Sequence, residues 1–239
     1  MITIHQSQFL PWLPFINKIA RSDVFVMLDH VQYQKNGMQN RNMIKTPKGA
    51  AWITVPVKAH LGDPINKVEV FNPTAAYRNI LTTLELNYKK SKYFRETFAW
   101  LQRVLSKGIS NLHDLNAALL SDILIQTKCK TQIIYSSQLN LTRTKDDLVI
   151  EIIKQIGQKQ YLSGEGALSY MDLNKFKAEG IEVYLSQFNY TPYPQQWMAQ
   201  APFIRELSVV DLLFNSLPTA AEYINKQGSM RLVCGKEPL

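Results

Sequence analysis

The fold is decided by residues 1–45, MITIHQSQFLPWLPFINKIARSDVFVMLDHVQYQKNGMQNRNMIK, which combine a strand, a helix and a second strand in one short segment. The β-branched run Ile2–Ile4 predicts a buried strand, and Pro11 suits the first turn of the helix that follows. Residues 24–28 are continuously apolar, as expected of a parallel strand covered on both faces. We therefore predict a β-α-β crossover, which brings the carboxyl ends of both strands to one edge of a sheet.

Polar groups follow directly after both predicted strands. His5 and Gln6 end the first strand, and Asp29 ends the second. Open α/β sheets bind their ligands outside the carboxyl ends of the strands, so this edge is a candidate site. We expect His5 or Asp29 to act as the catalytic group, because a neutral imidazole or a carboxylate can accept a proton. The alternative for His5 is a hydrogen-bonded structural histidine.

Amide and basic side chains cluster after the second strand. Residues 40–42 read Asn-Arg-Asn, and Lys45 follows them within the same predicted hairpin. Arginine binds phosphate or carboxylate through two parallel hydrogen bonds, and lysine adds a point charge. We therefore expect an anionic ligand, the alternative being a hairpin rim of solvated charges. The candidate substrate-binding residues are Gln6, Trp12, Gln32, Tyr33, Asn40, Arg41, Asn42, Lys45, Ser163 and Gly164.

Some members of this set have structural alternatives. Trp12 and Tyr33 can stack on a base or a sugar, but aromatic side chains also pack in cores. Ser163 and Gly164 open the segment SGEG after a predicted strand, where backbone N–H groups can turn toward an anion. The segment lacks the complete glycine pattern of a dinucleotide site or a P-loop, so a plain turn is the other interpretation.

The remaining sequence predicts the overall architecture. Residues 41–45 and 51–57 flank Thr-Pro-Lys-Gly, a turn signal that favours an antiparallel hairpin. Residues 73–128 follow a helical period and predict a mainly helical subdomain within a single domain of residues 1–239. Residues 131–188 then alternate strand and helix patterns. We therefore predict an α/β, Rossmann-like fold with a largely parallel sheet, a β-hairpin and a helical insert.

Composition narrows the class of protein. The 239 residues carry a net charge of +8, which attracts phosphates, nucleotides or nucleic acid, although it can also serve solubility alone. Two cysteines are too few for a disulfide scaffold, and the start lacks a signal-peptide pattern. No apolar run approaches the roughly 18 residues that span a bilayer. We therefore predict a cytoplasmic protein without integral membrane association, and we expect no metal ion or cofactor because the four histidines lack ligand spacing.

Several separated blocks of the sequence resemble one known family. The blocks are HQSQFLPWLPFINKIARSDVFVMLDHVQYQKNGMQNRNMIKTPKGAAWITVPV, YLSGEGALSYMD, GIEV and SVVDLLFN, and together they are similar to the WbqC-like proteins over almost the entire chain. The matching positions are Gln6, Pro11, Trp12, Asp29, Gln32, Tyr33, Asn40, Arg41, Asn42, Ser163 and Gly164. The departures are Ser7 for a common proline, Pro14 for glycine and Met38 for a bulky aromatic residue.

The resemblance implies a role in bacterial surface-polysaccharide (O-antigen) assembly. It implies a transferase acting on a nucleotide-activated sugar, such as an amino sugar that receives an acyl or aminoacyl group. The partner would be a nucleotide-linked sugar or another phosphate-bearing small molecule. The net charge of +8 leaves a non-catalytic protein that binds tRNA as an alternative, and an interaction protein of a glycan-assembly complex as another. The sequence leaves the oligomeric state open.

Overall fold

The computed structural model describes residues 1–235, and these contain ten strands and eight α-helices. Short 3-10 segments join some of them. In chain order the elements are β1 (Ile2–Gln6), α1 (Leu13–Ala20), β2 (Val24–Leu28), β3 (Arg41–Thr46), β4 (Gly49–Thr54), β5 (Val57–Lys58), β6 (Glu69–Val70), α2 (Pro73–Tyr88), α3 (Phe94–Leu105), α4 (Leu112–Gln126), β7 (Gln132–Tyr135), α5 (Lys145–Gln155), β8 (Gln160–Gly164), α6 (Leu173–Ala178), β9 (Glu182–Phe188), α7 (Val209–Ser216), α8 (Ala220–Lys226) and β10 (Gly228–Cys234).

The main sheet of residues 1–235 has the strand order β10-β9-β8-β1-β2-β7. Strands β7, β2, β1, β8 and β9 are parallel, and β10 runs antiparallel at the edge beside β9. Counted along the chain, the parallel strands have the order 3-2-1-4-5, which is that of a doubly wound Rossmann sheet. The prediction of a Rossmann-like α/β fold with a largely parallel sheet is thereby confirmed.

The strand order reverses between β1 and β8. Strand β1 pairs with β2 at five successive positions, from Ile2 with Val24 to Gln6 with Leu28. In contrast, β1 pairs with β8 only where Ile2 lies beside Tyr161. The two strands therefore separate toward their carboxyl ends, which opens a crevice at the topological switch point, where sheets of this kind bind ligands.

The loop between β1 and α1 departs from the sequence prediction. Helix α1 begins at Leu13 with Pro14 in its first turn, whereas Pro11 was expected there. Trp12 is extended, with φ −82° and ψ 167°, and bridges to Ser208, so the chain becomes helical only at Leu13.

Earlier in the loop, Leu10 has a φ of 41°, a left-handed conformation that side chains larger than glycine rarely adopt. The Leu10 carbonyl accepts hydrogen bonds from Asn42 Nδ2 at 2.9 Å and from Ser208 Oγ at 2.7 Å. These bonds hold the loop at Leu10 in its strained form.

The predicted hairpin forms between β3 and β4. The two strands pair from Arg41 with Thr54 to Thr46 with Gly49, so only two residues form the turn. Gly49 has a φ of 107°, which requires a residue without a Cβ atom. The second strand of the hairpin was predicted to reach residue 57, but it ends at Thr54 because Pro56 cannot donate to the ladder.

Two hydrophobic cores lie on opposite faces of the sheet. One joins α1, α7 and the helices α2–α4 to Phe25 and Met27 of β2. The other joins α5 and α6 to Ile2 and Ile4 of β1 and to Val26 of β2. The three helices predicted within residues 73–128 are therefore present and pack on one face of the sheet, while their status as a subdomain stays a prediction.

The last strand, β10, was not predicted. Its sequence mixes exposed apolar residues such as Met230 and Leu232 with Arg231, as suits an edge strand without a regular pattern. Residues 236–239, for which no pattern was assigned, lie outside the described residues. The segment after β8 forms a 3-10 helix over Glu165–Ser169 in place of an extended glycine loop. Within residues 1–235, no helix is long and apolar enough to cross a membrane.

Candidate functional site

Two cavities lie beside the carboxyl end of β1. His5 lines one and the next residue, Gln6, lines the other. The first, which we call the switch-point cavity, has a volume of about 510 Å³ and lies where β1 and β8 diverge; its residues include His5, Trp12, Lys18, Ser163, Gly164 and Tyr170. The second, which we call the Arg41 cavity, has a volume of about 1010 Å³; its residues include Gln6, Gln32, Tyr33, Asn40, Arg41 and His60. The predicted site residues are therefore divided between two neighbouring cavities.

His5 is held in the switch-point cavity as a neutral imidazole. Its ring packs edge-on against Phe15 with 5.2 Å between centroids, and Nδ1 lies 3.0 Å from the Gln6 carbonyl oxygen. Because that oxygen can only accept, Nδ1 carries the proton and Nε2 keeps its lone pair. Burial, assisted by the charge of Lys18, lowers the pKa of His5 to about 3. His5 is therefore uncharged at neutral pH and retains a ring nitrogen able to accept a proton.

Lys18 is a residue of this cavity that sequence reasoning missed. Its side chain belongs to the buried face of α1 and is only 5% exposed. Burial lowers the pKa of Lys18 to about 8. The signal in the sequence was its position three residues after Phe15 and beside Ile19, on the apolar side of the first helix.

Ser163, Gly164 and Trp12 lie along the wall of the switch-point cavity. Ser163 is buried, and a Cβ atom placed on Gly164 would meet nothing within 4 Å. Gly164 also has an ordinary φ of −82°, so the backbone does not require glycine at this position. Trp12 precedes α1 and bridges to Ser208, which orients its backbone at the mouth of the crevice.

The Arg41 cavity is lined by cations and amides. The Arg41 guanidinium stacks 4.3 Å from the centre of the Trp52 ring and donates to the Asn36 carbonyl. Lys35 and His60 also line the cavity, and its lining within the described part of the chain includes no carboxylate. This distribution of charge favours an anionic ligand.

The amides of this cavity are fixed by further hydrogen bonds. Gln39 Nε2 donates to Gln6 Oε1 at 2.7 Å, while its own Oε1 accepts from the backbone of Gln34 at 2.8 Å. Asn40 Nδ2 donates to the Val55 carbonyl at 2.9 Å. Burial raises the pKa of Tyr33, an effect that the charge of Arg41 reduces. Tyr33 therefore remains a neutral hydrogen-bonding group at physiological pH.

Asp29 lies outside the residues that line both cavities. Its Oδ1 accepts from Ser136 Oγ and from the Ser137 backbone N–H, both at 2.8 Å, and its Oδ2 accepts from Ser137 Oγ at 2.5 Å. Burial raises the pKa of Asp29, but the hydrogen bonds from Ser137 and Ser136 outweigh it and hold the pKa below its ordinary value. His113 Nε2 lies 3.8 Å away. The carboxylate thus ties the end of β2 to the segment after β7.

Asn42 and Lys45 are also occupied within the protein. Asn42 is fully buried and holds the strained loop at Leu10, as described above. Lys45 is fully buried as well, and its Nζ donates to Gln195 Oε1 at 3.0 Å and to the Pro202 carbonyl at 2.9 Å. Neither residue lines the two cavities.

A buried polar network surrounds Lys45 and was not predicted. Tyr88 and Tyr193 each donate to Asp211 at 2.8 Å, and the Lys45 backbone N–H donates to the Tyr88 hydroxyl at 2.9 Å. Burial raises the pKa of Asp211 to about 6, although these donors and the charge of Lys45 oppose the rise. The network joins the hairpin to α2 and α7.

The fold and the cavities define a Rossmann-like α/β protein with a crevice at its switch point and a basic cavity beside it. Comparison with known proteins then gives the family: the model of the WbqC-like protein family matches residues 6–223, and the chain belongs to this family. The match includes all the residues that line the Arg41 cavity and those of the switch-point cavity except Ile4 and His5, which directly precede the matched range.

A relative from Mycobacterium tuberculosis, described as the uncharacterized protein Rv1507c, is 32% identical over 227 residues. This alignment covers 93% of the present chain and 96% of the relative. No solved structure gives a significant match. The relationship thus extends over nearly the full length of both chains, but it brings no described activity with it.

Proposed function

We propose that this protein is a transferase that joins a nucleotide-activated sugar to a second substrate. The observation that carries the proposal is the position of two cavities on either side of the end of β1, with His5 in one and Gln6 in the other. Consecutive residues of one strand thereby contact two separate binding sites. Successive side chains of a strand point to opposite faces, so the two proposed ligands approach the end of β1 from its two sides, and the proposed transfer takes place at the strand end.

The Arg41 cavity is the proposed site for the nucleotide-linked sugar. A diphosphate carries two or more negative charges, and Arg41 and Lys35 provide cations for it. Tyr33, Gln32 and Gln6 offer hydrogen bonds to the sugar, and the volume of about 1010 Å³ suits an extended ligand. The Trp52 ring restrains the guanidinium of Arg41 before the ligand arrives, which reduces the entropy lost on binding.

The switch-point cavity is the proposed site for the second substrate, an acyl or aminoacyl donor. The amino group of the sugar attacks the acyl carbon, a C–N bond forms, and the bond to the leaving group breaks. His5 Nε2 accepts the proton that the attacking nitrogen releases, since Nδ1 is already committed to the Gln6 carbonyl. Asp29, Asn42 and Lys45 have no part in this proposed step, because they line neither cavity and their polar atoms are bonded within the protein.

Family membership and the resemblance of the sequence support the biological setting of this proposal. We place the reaction in the bacterial cytoplasm, where nucleotide-activated sugars are modified before a surface polysaccharide is assembled. An amino sugar linked to a nucleoside diphosphate is the substrate class that fits this setting.

Isothermal titration calorimetry tests the proposal with UDP- and dTDP-linked amino sugars, the free nucleoside diphosphates and tRNA. We expect at least one sugar nucleotide to bind, and the Arg41→Gln variant to bind it about tenfold or more weakly through loss of a charge-assisted contact. Arg95→Gln is the matched control, because Arg95 is an exposed arginine on α3. The proposal fails if none of the sugar nucleotides binds, or if only tRNA binds.

A further inference from the structure

Lys18 has an ammonium group that the protein leaves without a counter-ion. Within residues 1–235, none of the hydrogen bonds or ion pairs engages Lys18 Nζ. The side chain is 5% exposed and yet belongs to the lining of the switch-point cavity. The ammonium group therefore faces the cavity rather than bulk solvent or a protein acceptor.

Such an arrangement costs stability. A buried charge loses its hydration, and proteins normally compensate with a partner of opposite charge or several hydrogen bonds. Lys45 provides the contrast within this chain, because its equally buried ammonium has acceptors on Gln195 and Pro202. Lys18 loses hydration through burial but gains no ion pair or hydrogen bond at its ammonium group, as expected where a ligand supplies the missing anion.

The other ionisable groups of the cavity do not fill this role. Glu165 and Glu206 line the cavity, but neither carboxylate lies within 4.0 Å of Lys18 Nζ. Glu165 accepts a hydrogen bond from Gln187 Nε2 at 2.8 Å, which directs its carboxylate toward β9. His5 cannot act as the counter-ion either, since an imidazole is neutral or positive.

We propose that the switch-point cavity contains an anion-binding subsite centred on the ammonium group of Lys18, which takes a carboxylate or phosphate group of the second ligand. The aromatic side chains of Trp12, Phe188 and Tyr190 line the same cavity and suit the less polar part of that ligand. The subsite is inferred from the burial of Lys18 and its place in the cavity lining. It rests on the proposed function in one respect, because it gives the second substrate of that function a negative charge.

The test measures anion binding in the full chain carrying Arg41→Gln, so that the Arg41 cavity does not contribute. Thermal unfolding is followed with increasing sodium phosphate or sodium acetate, against sodium chloride at equal ionic strength. We expect one of the two anions to raise the unfolding midpoint. Addition of Lys18→Met should weaken that anion about tenfold or more, whereas Lys18→Arg should retain it.

The same variants show how much the buried ammonium group of Lys18 lowers the unfolding temperature when no anion is bound. Without added anion, Lys18→Met should unfold at the same or a higher temperature than its parent, because methionine fills a similar volume without a buried charge. Lys107→Met, at an exposed lysine after α3, is the control. The inference is overturned if neither anion shifts the midpoint, if the shift survives Lys18→Met, or if Lys18→Met alone unfolds the protein at a lower temperature.

Whether phosphate or acetate acts through Lys18 distinguishes a phosphorylated ligand from a carboxylic acid. Failure of the sugar-nucleotide titration leaves this outcome unaffected, because that titration depends on Arg41 and the other cavity. The two proposals can therefore fail separately.

Discussion

At the scale of single residues, His5 and Asp29 show how environment divides two candidate acid-base groups. His5 lies in a cavity, is neutral, and keeps one ring nitrogen for a ligand. Asp29 is ionised, and both of its carboxylate oxygens accept hydrogen bonds from Ser136 and Ser137. A carboxylate with several short hydrogen bonds is stabilised in its charged form, and here both of its oxygens are already occupied by donors of the protein. We therefore propose His5 for the proton transfer because it lines a cavity, whereas Asp29 lines neither cavity and bonds the strand end to Ser136 and Ser137.

The titration of His5 is directly measurable. Since its pKa is lowered from 6.5 to about 3, the unfolded chain binds a proton in that interval while the folded chain does not. The contribution of His5 to the free energy of unfolding is therefore fully present above pH 6.5, and it is lost as the pH falls from 6.5 toward 3. In ¹⁵N NMR we expect the His5 ring signals to stay at neutral-imidazole positions at pH 5. Replacing His5 by Gln should reduce the acid sensitivity, and a His5 midpoint above pH 6 would contradict the account.

Substitution of Asp29 separates its structural contribution from a catalytic one. Asp29→Asn removes the negative charge and places an N–H₂ group against donors, so we expect the free energy of unfolding to fall by about 2–3 kcal/mol. Glu85→Gln, at an exposed glutamate on α2, should change it by less than about 0.5 kcal/mol. Urea denaturation at pH 7 measures both values. An Asp29→Asn variant as stable as the control would show that the carboxylate is not required for the fold.

At the scale of elements, the loop between β1 and α1 connects the two cavities to the hairpin. Leu10 is held in its left-handed conformation by Asn42 on β3 and by Ser208 before α7. Backbone strain of this kind persists only where neighbouring groups enforce it, and it is frequent beside binding sites. The loop carries Trp12 to the mouth of the switch-point cavity. Asn42 of the hairpin therefore shapes the switch-point cavity through this loop, although Asn42 does not line the cavity itself.

Loss of the Asn42 side chain should release this loop. Asn42→Ala leaves the carbonyl of Leu10 with one donor fewer in a buried place, so we expect a loss of about 1–3 kcal/mol in the free energy of unfolding. Hydrogen exchange should also accelerate at the backbone amides of residues 9–13. Asn174→Ala, at an exposed asparagine on α6, provides the comparison. Equal stability and equal exchange in the two variants would rule out this positioning role.

At the scale of the whole molecule, the site exists because distant parts of the chain meet. The polar groups at the ends of β1 and β2, namely His5, Gln6 and Asp29, were predictable from the sequence. The hydrophobic pattern that marks the two strands and the helix between them lies within residues 1–45 and depends only on neighbouring residues. The pairing of β1 with β8 was not predictable, because Ile2 and Tyr161 are far apart in sequence. The switch-point cavity forms where β1 and β8 separate beyond this pair, and its lining includes Lys18 of α1. A sequence pattern that marks a lysine on an apolar face does not reveal what that face packs against.

The same limit applies to Asn42 and Lys45. Asn42 directly follows Asn40 and Arg41, and Lys45 comes after Met43 and Ile44 in the same strand, a position that the sequence marks as an accessible hairpin. Their side chains are taken up by remote partners, namely Leu10 for Asn42 and Gln195 with Pro202 for Lys45. The alternation of residues along the strand did not indicate that Asn42 and Lys45 are buried, because a polar residue in a sequence reads as exposed unless its buried hydrogen-bond partners are known. The candidate binding set was therefore wider than the lining of the two cavities.

The central claim is that two ligands bind on either side of the end of β1, one of them a nucleotide-activated sugar. The most direct measurement is a crystal structure with a UDP- or dTDP-linked amino sugar bound. We expect the diphosphate within hydrogen-bond distance of the Arg41 guanidinium and the sugar directed over Gln6 toward His5. A diphosphate bound outside the Arg41 cavity, or a sugar directed away from the end of β1, would contradict the account.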